Sequence, residues 1–369
     1  MKRQISILAM MAIFVTSLLF SCKKDDDGLK GKFTADEAKV EIASASQDVQ
    51  ESMGAMMTNP SMESLMFLMQ LLDMDFDDDE WKTSFKSTIV NDGQLSLMAT
   101  NRLIRESLDL KLDDFDPEDG GVYTFNFSTD EFDLTNPNVT YLMLIYPAND
   151  AAYYSQTNNA ELKVEDIEFV EIEYDDGWDV YTEELLTKIK VGQKIDNQTV
   201  MTCNYNATFN DDGLPLSMSF NMSMAPYSIV MSQSGSGVNY NSKLSFKEGN
   251  NVLVAYDLDF KYNSQMDDIV YFDGYFQLTP VKFQGDMNIA AMENCGDYDV
   301  NCMNNNIDIQ LIQTDKNKII GDIEFRLYTD PTYGDQWVEP VIVYADGTWE
   351  WLFVALGMDI DDWKSTLMR

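Results

Sequence analysis

The stretch Leu216-Ser-Met-Ser-Phe-Asn-Met-Ser-Met224 alternates apolar and polar residues at every position. Successive side chains of a β-strand point to opposite faces, so this period of two predicts a strand with one apolar and one polar face. The apolar set is Leu216, Met218, Phe220, Met222 and Met224. Residues 201–209 alternate in the same way, and Asn210-Asp-Asp-Gly213 between the two runs predicts a hairpin turn.

The same period continues along most of the chain from about Gly121 onward. About a dozen runs of this kind follow one another, separated by turns rich in Gly, Asn and Asp. One apolar and one polar face indicate an antiparallel sheet, because parallel strands are buried on both faces. Large sheets curl, and an apolar face needs a cover. We therefore predict an α+β fold, a large curved antiparallel β-meander (half-barrel-like) with N-terminal helices packed on its apolar face.

The helices are expected before the sheet. Thr34 and Glu37 have the Thr-x-x-Glu spacing of a capping box, which predicts a helix to about Met57. Asn59-Pro-Ser61 ends that helix, and Ser61 is the N-cap candidate for a second one. The chain thus divides into a mainly helical segment, 34–112, and a sheet domain, 113–369, that ends in a short helix. A further helical piece is expected at residues 182–189.

The N-terminus carries the features of a secretion signal. Lys2 and Arg3 precede a run that is almost wholly apolar from residue 5 to residue 20. Leu19-Phe-Ser-Cys22 resembles the lipobox of bacterial lipoproteins, in which the Cys becomes the first mature residue. The resemblance implies that residues 1–21 are a signal peptide, that Cys22 carries acyl chains such as palmitate, and that residues 22–33 form a lipidated tether. An uncleaved membrane anchor is the alternative.

Lys23-Lys-Asp-Asp-Asp27 follows the cysteine directly. It resembles the lysine-then-acidic export tract of Bacteroidota outer-membrane and surface lipoproteins. That resemblance implies an outer-membrane protein exposed at the cell surface, whose partner is the membrane that holds its anchor. A periplasm-facing anchor is the alternative. The predicted architecture also resembles the half-barrels of bacterial lipid-binding lipoproteins, although no motif of theirs is present.

Composition excludes several classes of function. The chain has 63 Asp and Glu against 25 Lys and Arg, a formal charge of −38, and no His. So acidic a surface repels phosphates, so nucleic acid is not an expected partner. The lack of His rules out Ser-His-Asp triads and imidazole-bound metals. No phosphate-binding Gly loop occurs, and we expect no cofactor, no metal and no catalytic residues. A carboxylate-based hydrolase using glutamates such as Glu168, Glu171 and Glu173 is a minor alternative.

The acidic segment 73–80 and the cysteines each leave a choice open. Asp73, Asp75 and Asp77 have the spacing of a calcium loop, but the EF-hand Gly and Glu positions are Asp78 and Ser84. A solvated turn is preferred to a weak calcium site. The sequence around this acidic segment, residues 71–84, is similar to residues 356–366. Repeated helix-capping chemistry and internal duplication are the two explanations. Cys295 and Cys302 bracket an expected hairpin tip and are predicted to form a disulfide, whereas Cys203 is expected to be a buried thiol.

Two groups of residues are candidates for ligand binding. The face carrying Met218, Phe220, Met222 and Met224 could hold an apolar or amphipathic ligand, because flexible thioethers adapt to irregular shapes. Trp349 and Trp351 would share a face if they lie in a strand, and with Tyr344 and Asp346 nearby they could stack on sugar rings. The alternative is that they close the apolar face. We therefore predict a non-catalytic, lipid-anchored protein with a lipid-like ligand, and a glycan-binding or adhesive module as the alternative.

Overall fold

The computed structural model describes residues 31–72, 120–175, 180–211, 213–264, 268–296, 298–329 and 336–355. Four predicted features lie outside the described residues: the signal peptide, the lipidation site Cys22, the acidic segment 73–80 and the similar segment 356–366. Within the described ranges, none of the helices combines the length and the apolar character that crossing a bilayer requires.

Most of the described residues lie in strands. The helices are α1 (Ala35–Met57), α2 (Pro60–Leu71), α3 (Asp150–Tyr154), α4 (Ile289–Glu293), α5 (Val300–Asn304) and α6 (Leu352–Ala355). The strands are β1 (Gly121–Asn126), β2 (Glu131–Asn136), β3 (Leu142–Tyr146), β4 (Ala160–Asp175), β5 (Val180–Ile195), β6 (Gln198–Phe209), β7 (Pro215–Met224), β8 (Tyr227–Ser236), β9 (Asn239–Glu248), β10 (Asn251–Tyr262), β11 (Ile269–Leu278), β12 (Val281–Met287), β13 (Ile307–Gln313), β14 (Lys318–Thr329), β15 (Gln336–Tyr344) and β16 (Trp349–Trp351).

The strands form one sheet that follows the chain almost without exception. Its order is β16-β15-β14-β13-β12-β11-β10-β9-β8-β7-β6-β5-β4-β3-β1-β2. Sequential neighbours such as β6 and β7 pair antiparallel, whereas β1 and β3 pair in parallel because β2 lies at the edge. The predicted α+β class with a large antiparallel sheet is confirmed.

Two compact units share the described residues. The first contains the residues up to Ser52, residues 236–245 and the residues from Val252 onward. The second contains residues 53–235 and 246–251. Each unit has its own core face, the sheet face that carries its buried apolar side chains. In the first unit this face includes Phe283, Leu311 and Phe325, and in the second it includes Ile189, Tyr205 and Met218.

Helix α1 begins where the capping box predicts. The backbone N–H of Thr34 donates to Glu37 Oε2 at 3.0 Å, and the N–H of Glu37 donates to Thr34 Oγ1 at 3.4 Å. In the first unit the helix buries small and apolar side chains one turn apart, because that spacing places them on one side. They are Ala38, Ile42 and Ala45. Phe33, the last residue of the predicted tether, is also buried.

Helix α2 is held on the second unit by polar groups as well as by its apolar face. Asn59, not the predicted Ser61, is its N-cap, because Asn59 Oδ1 accepts from the backbone N–H of Ser61 at 3.0 Å. Ser61 is buried and donates to Gln193. The hydroxyl of Tyr146 accepts from Gln193 Nε2 at 3.0 Å and lies 3.2 Å from Ser64 Oγ. These bonds satisfy buried polar groups and fix the helix over β3 and β5.

The predicted helical piece at residues 182–189 is wrong. This segment belongs to β5, which pairs with β4 on one side and β6 on the other. Leu185, Leu186 and Ile189 are buried there. Pairing on both sides satisfies the backbone and buries these side chains, which outweighs the weak helix propensity of the segment.

Candidate functional site

The core face of β5–β8 carries a row of apolar side chains that are only half-buried. The register pairs Val191 with Cys203, Cys203 with Met222, and Met222 with Ile229. Because directly paired residues lie on the same face, these four side chains form a continuous row across four strands. Phe220 and Met231, a pair in the next row, are half-buried too. We call Val191, Cys203, Phe220, Met222, Ile229 and Met231 the strip.

Buried rows flank the strip. On one side lie Gln193, Met201, Met224 and Tyr227, all buried. On the other side the paired residues Ala207 and Met218 are buried. The apolar residues of β7 therefore fall into two groups. Met218 and Met224 are buried in the core, whereas Phe220 and Met222, which lie between them along the strand, keep part of their surface accessible. Leu216, at the start of the strand, is 42% exposed.

Tyr205 is a buried polar residue beside the strip, and sequence reasoning did not single it out. It pairs with Ile189 on β5 and Phe220 on β7, so it lies on the face of the strip. Its side chain is 1% exposed, and its hydroxyl has no hydrogen-bond partner within the described part of the chain. Burial raises the pKa of this hydroxyl, which stays protonated at neutral pH. The alternation of residues 201–209 predicts its face, but only the packing reveals its unpaired hydroxyl.

The strip carries no charge. Burial raises the pKa of the Cys203 thiol to about 11, so the thiol stays protonated at neutral pH and is a weak nucleophile. Lys188 and Lys190 of β5 alternate with Ile189 and Val191 and lie on the opposite face. There Lys190 contacts Glu165 at 3.2 Å and Lys188 contacts Glu168 at 2.8 Å. Around the strip, the sheet thus separates an ionic outer face from an uncharged core face.

The predicted tryptophan pair lies in the first unit, on the outer face. Trp349 and Trp351 share one face of β16, with ring centroids 5.0 Å apart. The ring centroid of Trp351 lies 5.5 Å from that of Tyr328, and the centroid of Tyr328 lies 4.6 Å from that of Trp337. Tyr328 and Trp337 are paired across β14 and β15, and so are the core residues Phe325 and Pro340 three positions away. Because an odd spacing along a strand changes the face, the tryptophan side chains lie on the face opposite the core. We call Tyr328, Trp337, Trp349 and Trp351 the tryptophan cluster.

Two polar groups at the tryptophan cluster are engaged. The indole N–H of Trp337 donates to Glu339, which is buried. The Arg326 guanidinium lies 4.9 Å from the Trp349 ring centroid, a cation–π contact. Trp349 itself is 40% exposed.

Tyr344 does not join the tryptophan cluster. It is buried on the core face, where its hydroxyl donates to Glu350, and Lys39 of α1 donates to the same carboxylate at 2.9 Å. Burial, followed by this contact with Glu350, raises the pKa of Tyr344. Asp346 lies in the turn before β16 and accepts from the backbone N–H of Thr348 at 2.9 Å. The expected grouping of Tyr344 with the tryptophans is therefore wrong.

The cysteines lie in a different setting from the one expected. Cys295 and Cys302 are joined by a disulfide with their Cα atoms 5.7 Å apart. The segment between β12 and β13 contains the short helices α4 and α5 rather than a hairpin tip. Asn288 and Asp299 cap these helices through their side chains, which explains why a sequence rich in turn residues forms them.

Carboxylates are numerous on the outer faces but do not form a described metal centre. In β10–β13 the register pairs Asp259 with Asp273, Asp273 with Asp286, and Asp286 with Asp308. We call these four residues the aspartate ladder. Glu168, Glu171 and Glu173 are exposed along β4. Across the ranges that the structure describes, no three Cys, Asp or Glu side chains converge on a point that could hold a metal ion.

Comparisons with known proteins add no assignment. Neither a family model, nor a curated protein, nor a solved structure matches this chain.

Proposed function

We propose that this protein is a lipid-anchored outer-membrane lipoprotein that binds an apolar or amphipathic ligand along the strip, without catalysis. The observation that supports the binding role is the half-buried row between two buried rows on an uncharged sheet face. An isolated exposed apolar residue is common, but a contiguous set of this kind marks a binding surface more often. Methionines suit such a surface because their side chains adapt to irregular ligands.

Native mass spectrometry of the protein extracted gently from its own host tests the binding role. We expect an added mass that is lost on denaturation and that identifies the ligand class. Cys203 provides an independent reporter, since the other three cysteines are Cys22 and the disulfide pair. Ligand should slow the alkylation of Cys203 by iodoacetamide at pH 9, whereas unchanged alkylation with every probe would contradict a site at the strip.

Two neighbouring positions of β8 give a matched pair of variants. Met231 is half-buried in the strip, and Val230 is 45% exposed on the other face. Met231→Asp should abolish the added mass, because a carboxylate in an apolar site is strongly unfavourable. Val230→Asp introduces the same charge one residue away and should leave the added mass unchanged. Equal effects of the two variants would contradict the proposed site.

The anchor and the location need their own experiment. Radiolabelled palmitate should enter the wild-type protein and not a Cys22→Ser variant. Protease added to intact cells should remove the wild-type protein if it faces outward, and leave it intact if it faces the periplasm.

A second candidate function is glycan binding at the outer face of the first unit. The supporting observation is Trp349, which is 40% exposed and carries the Arg326 guanidinium on its ring. Aromatic faces of this kind can stack on sugar rings. Affinity electrophoresis through gels that contain plant or host polysaccharides tests the idea. A retardation that Trp349→Ala removes would support glycan binding, and unchanged mobility in every gel would contradict it.

A further inference from the structure

The hydroxyl of Tyr205 is one of two buried side-chain polar atoms that have no hydrogen-bond partner among the described residues. The other is Asn158 Oδ1, whose amide nitrogen donates to the backbone carbonyl of Phe125 at 2.8 Å. Tyr146 belongs to the same core cluster as Tyr205, and its hydroxyl is bonded to both Ser64 and Gln193. The hydroxyl of Tyr205 has no such partner in the described ranges, although its side chain is equally buried. A buried hydroxyl without a partner is costly, so each example in a native protein calls for an explanation.

The surroundings of Tyr205 limit what could satisfy it. Its neighbours in the register are Ile189 and Phe220. The same cluster contains Tyr146, whose hydroxyl is already bonded to Ser64 and Gln193, and its other buried members, such as Leu186, Ala207 and Met218, are hydrocarbon or thioether. A single buried water needs two to four polar partners, which this set of side chains does not supply. An oxygen atom carried on an apolar molecule would need only the tyrosine.

Tyr205 also adjoins the accessible part of the face. Phe220, its cross-strand partner, belongs to the strip, and Cys203, two residues away on the same strand, is the centre of the strip's main row. A ligand lying along the strip therefore reaches the position next to Tyr205. Phe220 and Val191 pack directly against the cluster that contains Tyr205, so the strip and this residue are parts of one packed region.

We infer that the strip selects an uncharged amphipathic ligand whose oxygen atom accepts a hydrogen bond from the Tyr205 hydroxyl. This inference rests on the proposed function. A phenol donates to alcohol, ether and carbonyl oxygens, so the ligand class is a long-chain alcohol, ester or ketone rather than a plain hydrocarbon. An ionised headgroup is disfavoured, because no cation lies in the strip and the protein carries a formal charge of −38.

The test uses the mature chain from residue 22 with Cys22→Ser, and three probes of equal chain length: 1-decanol, n-decane and decanoate. Affinities come from displacement of N-phenyl-1-naphthylamine. The wild-type protein should bind 1-decanol most tightly. Tyr205→Phe should weaken 1-decanol binding by about three- to tenfold, the value of one hydrogen bond between neutral groups, and leave n-decane binding unchanged.

Tyr146→Phe is the matched control. It removes a buried hydroxyl that already has partners, so it should lower the Tm and leave the preference for 1-decanol unchanged. Tyr205→Phe removes an unpaired hydroxyl, so it should raise the Tm of the ligand-free protein by about 2 °C. A variant that merely damaged the core would lower the Tm and weaken both probes alike.

Each contrary result overturns a defined part of the proposal. If Tyr205→Phe weakens the binding of 1-decanol and n-decane equally, or weakens neither, the hydroxyl does not select the ligand. The proposed binding of an apolar ligand at the strip would remain supported. If decanoate binds more tightly than 1-decanol, the ligand is not uncharged. If none of the three probes binds the wild-type protein, the proposed function and this inference fail together.

Discussion

The strip of the second unit and the tryptophan cluster of the first both bring large apolar side chains to solvent, yet they differ in two respects. The strip lies on a core face, and beside it the hydroxyl of Tyr205 has no hydrogen-bond partner among the described residues. The tryptophan cluster lies on an outer face, where the Trp337 indole is bonded to Glu339 and Trp349 carries Arg326.

The difference teaches how to rank two exposed apolar groups. Exposure alone favours Trp349, which is 40% exposed, over the half-buried strip. Hydrogen bonding favours the strip. The buried Tyr205 hydroxyl, which has no partner among the described residues, carries a free-energy cost that a ligand can remove, whereas the polar groups bonded at the tryptophan cluster carry no such cost. We therefore assign ligand binding to the strip first and glycan binding second.

The largest expected effect separates core from strip within β7. Met224→Ala should lower the free energy of unfolding by about 2–5 kcal/mol, because the side chain is fully buried and leaves a cavity. Met222→Ala should lower the free energy of unfolding by about half of that or less, since part of its surface is already accessible, but it should weaken 1-decanol binding. Urea denaturation measures the stability, and probe displacement measures the binding. Equal losses of stability would mean that Met222 is ordinary core.

The next effect concerns the tryptophan cluster. Trp351→Ala should lower the free energy of unfolding by about 2–3 kcal/mol, because the ring packs between Trp349 and Tyr328. The more exposed Trp349 should cost less when replaced by Ala. Neither substitution should alter 1-decanol binding. If either weakened 1-decanol binding with the fold intact by circular dichroism, the separation between the two regions would fail.

The third prediction concerns alkaline pH. Burial raises the pKa of both Tyr205 and Tyr344 above the value of 10.0 in an unfolded chain. The stabilisation from each is therefore complete below pH 10 and is lost as the pH rises above it, at up to about 1.4 kcal/mol per pH unit for each tyrosine. Urea midpoints between pH 9 and pH 11.5 should fall, and Tyr205→Phe should make the fall less steep.

Tyrosinate absorbance provides the independent readout of that prediction. Tyr262, with its pKa raised by burial to about 12, should titrate late together with Tyr205 and Tyr344. Titration of every tyrosine near pH 10 in the folded protein would contradict the buried environments of these three tyrosines.

The smallest effect belongs to the aspartate ladder on the outer face of the first unit. Asp286 lies between Asp273 and Asp308, and like charges directly opposite one another across strands are destabilising. Asp286→Asn should raise the free energy of unfolding by about 0.2–1 kcal/mol at low salt, and by less in 0.5 M NaCl. Asp315→Asn, an exposed turn residue, removes the same charge and serves as the control. An equal gain in the control would attribute the effect to net charge.

Much of the fold follows from patterns that span a few residues. The alternation of residues 216–224 predicts the strand, its face and its hairpin with β6, because a period of two is a property of the extended backbone. The capping box predicts the start of α1 for the same kind of local reason. Residues 182–189 show the limit, since their local propensity is overruled by pairing on both sides.

The candidate site depends on contacts between distant segments, and local patterns do not contain them. The sequence by itself determines that Met218, Phe220, Met222 and Met224 share a face, that Trp349 and Trp351 do so in a strand, and that the chain is strongly acidic. Only the tertiary structure decides which of the first four are buried and that Tyr344 lies on the face opposite the tryptophans. It also decides that the hydroxyl of Tyr205 has no partner within the described ranges. The physical reason is that a residue's face is set by its own backbone, whereas its burial and its hydrogen bonds are set by chain segments far away in sequence.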